Sequence, residues 1–66
     1  MYVVHFILKN KLMDKRAISH IPSVGDEVRY GIEGKEKFYK VIRRVWCVDE
    51  IRHDNPVRVN IELKKI

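Results

Sequence analysis

Two serines, three histidines and one cysteine are the side chains of this chain best suited to nucleophilic or metal chemistry. A nucleophilic hydrolase needs a hydroxyl or thiol, a base and an orienting carboxylate that converge on a concave site. Ser19 and Ser23 are the only aliphatic hydroxyls, and both lie around Pro22 in a turn-like stretch. Neither sits in a nucleophile elbow, and no glycine-rich phosphate loop occurs. A structural zinc site needs four nitrogen or sulfur ligands, usually seeded by a close pair. His5, His20, His53 and Cys47 occur singly, without a Cys-x-x-Cys or a His-x-x-x-His pair. The simpler reading makes His5 a half-buried strand residue, His20 and His53 loop residues, and Cys47 a small core hydrophobe. The chain is therefore expected to be no enzyme and to hold no metal or cofactor.

Recognition chemistry is better represented. Lys35, Lys37, Lys40, Arg43, Arg44 and Arg58 fall on the stretch 38–50, on the turn that leads into it, or on the strand expected beside it. Trp46 and Tyr30 could stack bases or guanidinium groups near these cations, as in barrels that bind single strands. The competing reading places Trp46 in the core under the stems of long basic side chains. That reading is preferred, because so short a chain can hardly spare its largest apolar side chain. The Arg43-Arg44 pair would suit phosphate or carboxylate if a bulge turned both side chains outward.

Composition sets the frame for these residues. Sixty-six residues make one domain near the lower limit for unaided folding, with about 60% of the unfolded surface buried. A hydrophobic share of 45% is ordinary for a globular chain. The lone cysteine excludes an intrachain disulfide framework. The apolar run over residues 2–8 is too short to cross a bilayer and lacks a signal-peptide cleavage site. These features predict a cytoplasmic protein with no membrane association. A net charge of +5 and a pI near 9.6 admit nucleic acid as a partner, and also serve solubility.

The pattern along the chain predicts five strands. Residues 2–9 are rich in β-branched and aromatic types and apolar in both alternating sets, which suits a central strand or one at a barrel bend with both sides partly covered. Asn10 and Lys11 have turn character. Residues 12–21 have two readings: Met13, Ala17 and Ile21 share a helical face, whereas a hairpin return alternates Arg16, Ile18 and His20 against Ala17 and Ser19. The strand reading is preferred, since a residue before proline is pushed out of the helical region. Val28, Tyr30 and Ile32 alternate with Glu27, Arg29 and Glu33, and Gly31 and Gly34 frame the turn that follows. The stretch 38–50 is apolar in both registers, which predicts a long strand with a bulge near Arg43-Arg44. Residues 49–56 read as a polar loop. Val57, Val59, Ile61 and Leu63 then alternate with Arg58, Asn60, Glu62 and Lys64 in the least ambiguous strand.

Five short strands joined by tight turns close most simply into a small, strongly bent SH3-like barrel, all-β and without interior room for a substrate. An OB-like barrel usually needs more chain. The order Pro-x-x-Gly-Asp-x-Val, at Pro22, Gly25, Asp26 and Val28, is followed by Tyr39-x-Val41 and Val45-Trp46. This resembles short proteins encoded by phages, prophages and other mobile elements, many of them thought to be SH3-like barrels. The resemblance covers about the last two thirds of the chain. It implies a fold and a genomic neighbourhood, and carries no catalytic residue across. The expected function is a binding module that engages a host protein or protein–nucleic acid complex, with inhibition of a host-defence complex as one form. Nucleic-acid binding through the Lys40/Arg43/Arg44 face is the alternative. An open barrel also leaves backbone edges that could pair two copies as a homodimer, and the out-of-phase Ile66 beyond the last strand could dock on a neighbour.

Overall fold

The computed structural model describes residues 2–31, 34–48 and 58–66. Five strands are formed: β1 (Tyr2–Leu8), β2 (Lys11–Ile18), β3 (Glu27–Tyr30), β4 (Lys37–Cys47) and β5 (Arg58–Lys65). There is no helix among the described residues. The strands make one sheet in the order β2-β1-β5-β4-β3, strongly curled into a half-barrel consistent with a small all-β SH3-like barrel. The β1–β2, β3–β4 and β4–β5 pairs are antiparallel, while β1 and β5 run parallel.

The two apolar registers of residues 2–9 are explained by this order. β1 lies between β2 and β5, so both its edges are paired. Val4 and Phe6 are buried on the concave side, while Val3, His5 and Ile7 are half-buried on the convex side. Residues 12–21 do not form a helix, because β2 pairs along its length with β1. The terminal strand is also central, paired with β1 on one side and β4 on the other. The free edges belong instead to β2 and β3. The core is the concave face: Val4, Phe6, Tyr39, Val41, Val59, Ile61 and Leu63. Val59, Ile61 and Leu63 supply it from β5 at alternate positions, as the sequence pattern predicts.

Two bulges bend the sheet along one line. On β2, Phe6 faces Asp14 and Ile7 faces Leu12, so Met13 is the extra residue. On β4, Val41 faces Leu63 and Arg43 faces Glu62, so Ile42 is the extra residue. Ile7 and Glu62 face each other across β1 and β5, which places both bulges at one level of the sheet. A bulge increases local twist and bends its strand. Two aligned bulges on either side of the central pair therefore fold the wings toward the same face.

The motif Pro22–Asp26 is the clamp on the β4 bulge. The Asp26 amide donates to the Ser23 carbonyl at 3.0 Å, and the Ser23 amide donates to the Asp26 carboxylate at 2.8 Å. Gly25 takes φ +98° at the third turn position, which a type II turn requires and glycine adopts without a Cβ penalty. The Gly25 amide then donates to the Val41 carbonyl, and the Val41 amide to the Asp26 carbonyl, both at 2.9 Å. These bonds extend the β3–β4 pairing to the residue before the bulge.

The β1–β2 turn is Lys9-Asn10, one residue earlier than the Asn10-Lys11 expected. Both residues have positive φ, 52° and 63°, the requirement of a type I′ hairpin turn. A left-handed conformation costs a non-glycine residue roughly 1–2 kcal/mol. Lys9→Asn with Asn10→Gly places the preferred pair there. It should raise stability by about 1 kcal/mol, a gain of roughly 4–8 °C in Tm for a domain of this size. Calorimetry of the two proteins measures it, and an unchanged or lower Tm would contradict the turn assignment.

Candidate interaction surface

The bulge at Ile42 decides where the arginine pair points. Arg43 faces Glu62 across the strand, on the convex side, and Nη1 lies 3.4 Å from the Glu62 carboxylate. Arg44 faces the core residue Ile61 and therefore emerges on the concave side. Successive residues beyond the bulge resume ordinary alternation, so the pair is split between faces rather than turned outward together. The six basic residues do not form one surface. Lys40 and Arg58 lie on the convex face with Arg43, Lys37 lies opposite Tyr30 at the concave rim, and Lys35 is in the exposed turn before β4.

Trp46 is not a core residue. It faces Val59 on the concave side, yet 45% of it is exposed, because it lies at one end of the half-barrel. The Tyr2 ring meets it edge to face at a centroid distance of 5.4 Å. The Arg44 guanidinium lies 5.8 Å from the Trp46 ring centroid and donates to the Ser23 hydroxyl at 3.3 Å. The exposed Val24 is the neighbour of Ser23 in the turn. This end of the barrel thus presents an indole, a phenol and a guanidinium held by a turn. Tyr2 was invisible as a member of the surface from sequence. Its contact with Trp46 depends on β5 lying between β1 and β4.

A second arginine–aromatic group closes the half-barrel across its open side. Tyr30 on β3 meets Phe6 of β1 edge to face at 5.8 Å and Tyr39 of β4 at 6.0 Å. The Arg16 guanidinium of β2 lies 5.8 Å from the Tyr30 ring centroid, and its Nε is 2.5 Å from the Asp14 carboxylate. The hydrogen bond from Arg16 holds the Asp14 carboxyl below its ordinary value. Burial first, and hydrogen bonding with Asp14 second, push the Tyr30 hydroxyl well above the usual tyrosine range. The group joins residues of β1, β2, β3 and β4 across the open side of the half-barrel.

On the convex face, His5 lies between Lys15 and Asn60. Burial first, then Arg58 and Lys15, hold its imidazole below the usual histidine range. The side-chain oxygen of Asn60 is buried there without a hydrogen-bond partner. Cys47 is a half-buried residue of this face, opposite Arg58, and not a core residue. His20 is exposed beyond the end of β2; His53, Val57 and the loop 49–56 lie outside the described residues, as do Ile32 and Glu33. No group of three or more histidine, cysteine, aspartate or glutamate side chains is placed to hold a metal among the described residues. None of them forms a helix long and apolar enough to cross a membrane. Compared with known proteins, the chain matches no family model, no curated protein and no solved structure at a significant level.

Two outcomes check this geometry. Trp46→Ala should leave the domain folded and cost about 2 kcal/mol, roughly half the loss for a fully buried aromatic, whereas Ile61→Ala should cost about 2–5 kcal/mol and largely unfold it. Chemical denaturation compares them, and unfolding by Trp46→Ala alone would return Trp46 to the core. The raised Tyr30 pKa means that its contribution to stability is complete below the unfolded phenol value of about 10 and is lost as pH rises beyond it. Tyr30→Phe should flatten the alkaline limb of stability against pH. An unchanged alkaline limb would remove Tyr30 as its source.

Proposed function

We propose that this chain is a small non-enzymatic binding module of the cytoplasm. On this reading it is encoded by a phage or other mobile element and engages a host protein or protein–nucleic acid complex. Inhibition of a host-defence complex is the biological form that the resemblance of its turn and strand motifs supports. The observation that carries the reading is the exposure of Trp46 beside Tyr2 and Arg44. Tryptophan, tyrosine and arginine are the residues enriched at the energetic centres of protein interfaces. A domain with so small a core has much to gain from burying its only tryptophan, and this one leaves it nearly half exposed. Arg44 is pre-oriented by Ser23 and by the indole, so little rotamer entropy is lost when a partner covers it.

Nucleic-acid binding is the second reading. The Arg44–Trp46 stack favours it, since an indole and a guanidinium both accept the face of a base. The division of the cations between two faces weighs against a continuous phosphate track.

Affinity capture from a lysate of the source cell, with and without nuclease and across a salt gradient, separates these readings. The binding-module reading predicts a defined protein that survives nuclease and moderate salt and is lost at least tenfold with Trp46→Ala. Recovery of nucleic acid that elutes by moderate salt assigns the surface to phosphate and base contacts instead. Capture that is indifferent to Trp46 and Arg44 would overturn both.

A further inference from the structure

The β4 bulge also builds a second surface, on the convex side and away from Trp46. Ile42, the extra residue, is 51% exposed and lies beside Ile7 in an open groove of about 280 Å³. Lys9, Lys64 and Lys65 border it. The one acidic side chain of the groove, Glu62, is already engaged by Arg43. The apolar surface continues along the strands. Phe38 and Lys40 alternate on β4 toward the bulge, and the Ile66 amide donates to the Phe38 carbonyl, which sets Ile66 beside Phe38. Phe38 and Ile66 are 47% and 66% exposed.

Charge identifies the kind of partner. Lys40 faces Lys64 directly across β4 and β5, a like-charge pair that destabilises a sheet. Glu27 faces Lys40 from β3, but neither lysine forms an ion pair among the described residues. The free protein thus carries a cationic pair without an ion-pair partner beside exposed apolar side chains, which an anionic partner with an apolar anchor would complement. At about 280 Å³ the open groove lies at the lower end of the roughly 300–1,000 Å³ of small-molecule sites, room for a single anchor side chain of a larger ligand. Lysine is a flexible point charge and arginine a rigid bidentate fork. With Arg43 committed to Glu62, the lysine border matches scattered carboxylates better than a fixed phosphate.

We propose that this groove docks an acidic protein segment, with one apolar side chain seated on Ile42 and flanking carboxylates on Lys40, Lys64 and Lys9. The site extends the binding-module reading above and is independent of Trp46, so each stands or falls separately.

The test is selection of a random dodecamer peptide display library on the full-length chain, on Lys40→Glu and on Trp46→Ala, with each selected peptide then measured by fluorescence anisotropy. Wild type and Trp46→Ala should select the same peptides, enriched in aspartate and glutamate around an apolar residue. Lys40→Glu should bind them at least tenfold more weakly. Lys40→Glu exchanges the like-charge contact with Lys64 for one with Glu27, so that variant should melt close to the wild-type temperature, which separates lost binding from lost folding. Absence of acidic enrichment, or peptides that bind Lys40→Glu as well as wild type, would overturn the proposal. So would a protein that selects no acidic peptide but sediments with phosphatidylserine vesicles in a Lys40-dependent way, which would assign the patch to a lipid surface.

Discussion

The fold depends on how a five-stranded sheet covers its own apolar face without a second layer. A flat sheet of this size would expose the concave residues Val4, Val41, Val59 and Ile61 to water, yet each is essentially inaccessible. Curling solves this, and Tyr30 holds the curl. From the β3 edge its ring reaches Phe6 and Tyr39, while the Arg16 guanidinium on the β2 edge lies 5.8 Å from its centroid. The two edge strands are thereby tied through side chains rather than a hydrogen-bonded ladder. Edge-to-face aromatic pairs contribute about 0.5–1.5 kcal/mol each beyond area burial, a large share of the few kcal/mol available to so short a chain. The exposed Asp14–Arg16 pair adds little by itself; its value is that it holds Arg16 beside Tyr30.

Much of this architecture was legible in the residues. Strand identity followed from β-branched and aromatic runs, and the core of β5 from clean alternation at Val59, Ile61 and Leu63. The β4 bulge followed from apolar residues in both registers of one strand. Two things were not legible, for a common reason. The parallel β1–β5 pairing inserts the last strand between β1 and β4, and no local pattern records a contact between residues more than fifty positions apart. Hence the central place of β5 and the Tyr2–Trp46 and Phe6–Tyr30 pairs had no local signature. Trp46 departs from the expected core position for a second reason. Size and hydrophobicity argue for burial, but the indole lies at the end of the half-barrel, where the curled wings no longer cover it.

The bulge at Ile42 links the fold to function. It sends Arg43 to one face and Arg44 to the other, completes the Trp46 surface through Ser23, and opens the lysine-bordered groove at Ile42. One inserted residue thus shapes both proposed recognition surfaces: an aromatic–guanidinium end, and an apolar groove in a cationic field. Both expose apolar side chains that a chain this small could have used for its core. Such exposure marks interaction sites when it is contiguous and bordered by polar groups.

Tyr30 closes the sheet by packing on Phe6, and a double-mutant cycle tests that closure most directly. Unfolding free energies of wild type, Phe6→Leu, Tyr30→Leu and the double variant give the coupling between the two rings. Closure by this pair predicts a coupling of about 1 kcal/mol. Additive losses, with no coupling, would show that the wings are held together by something else.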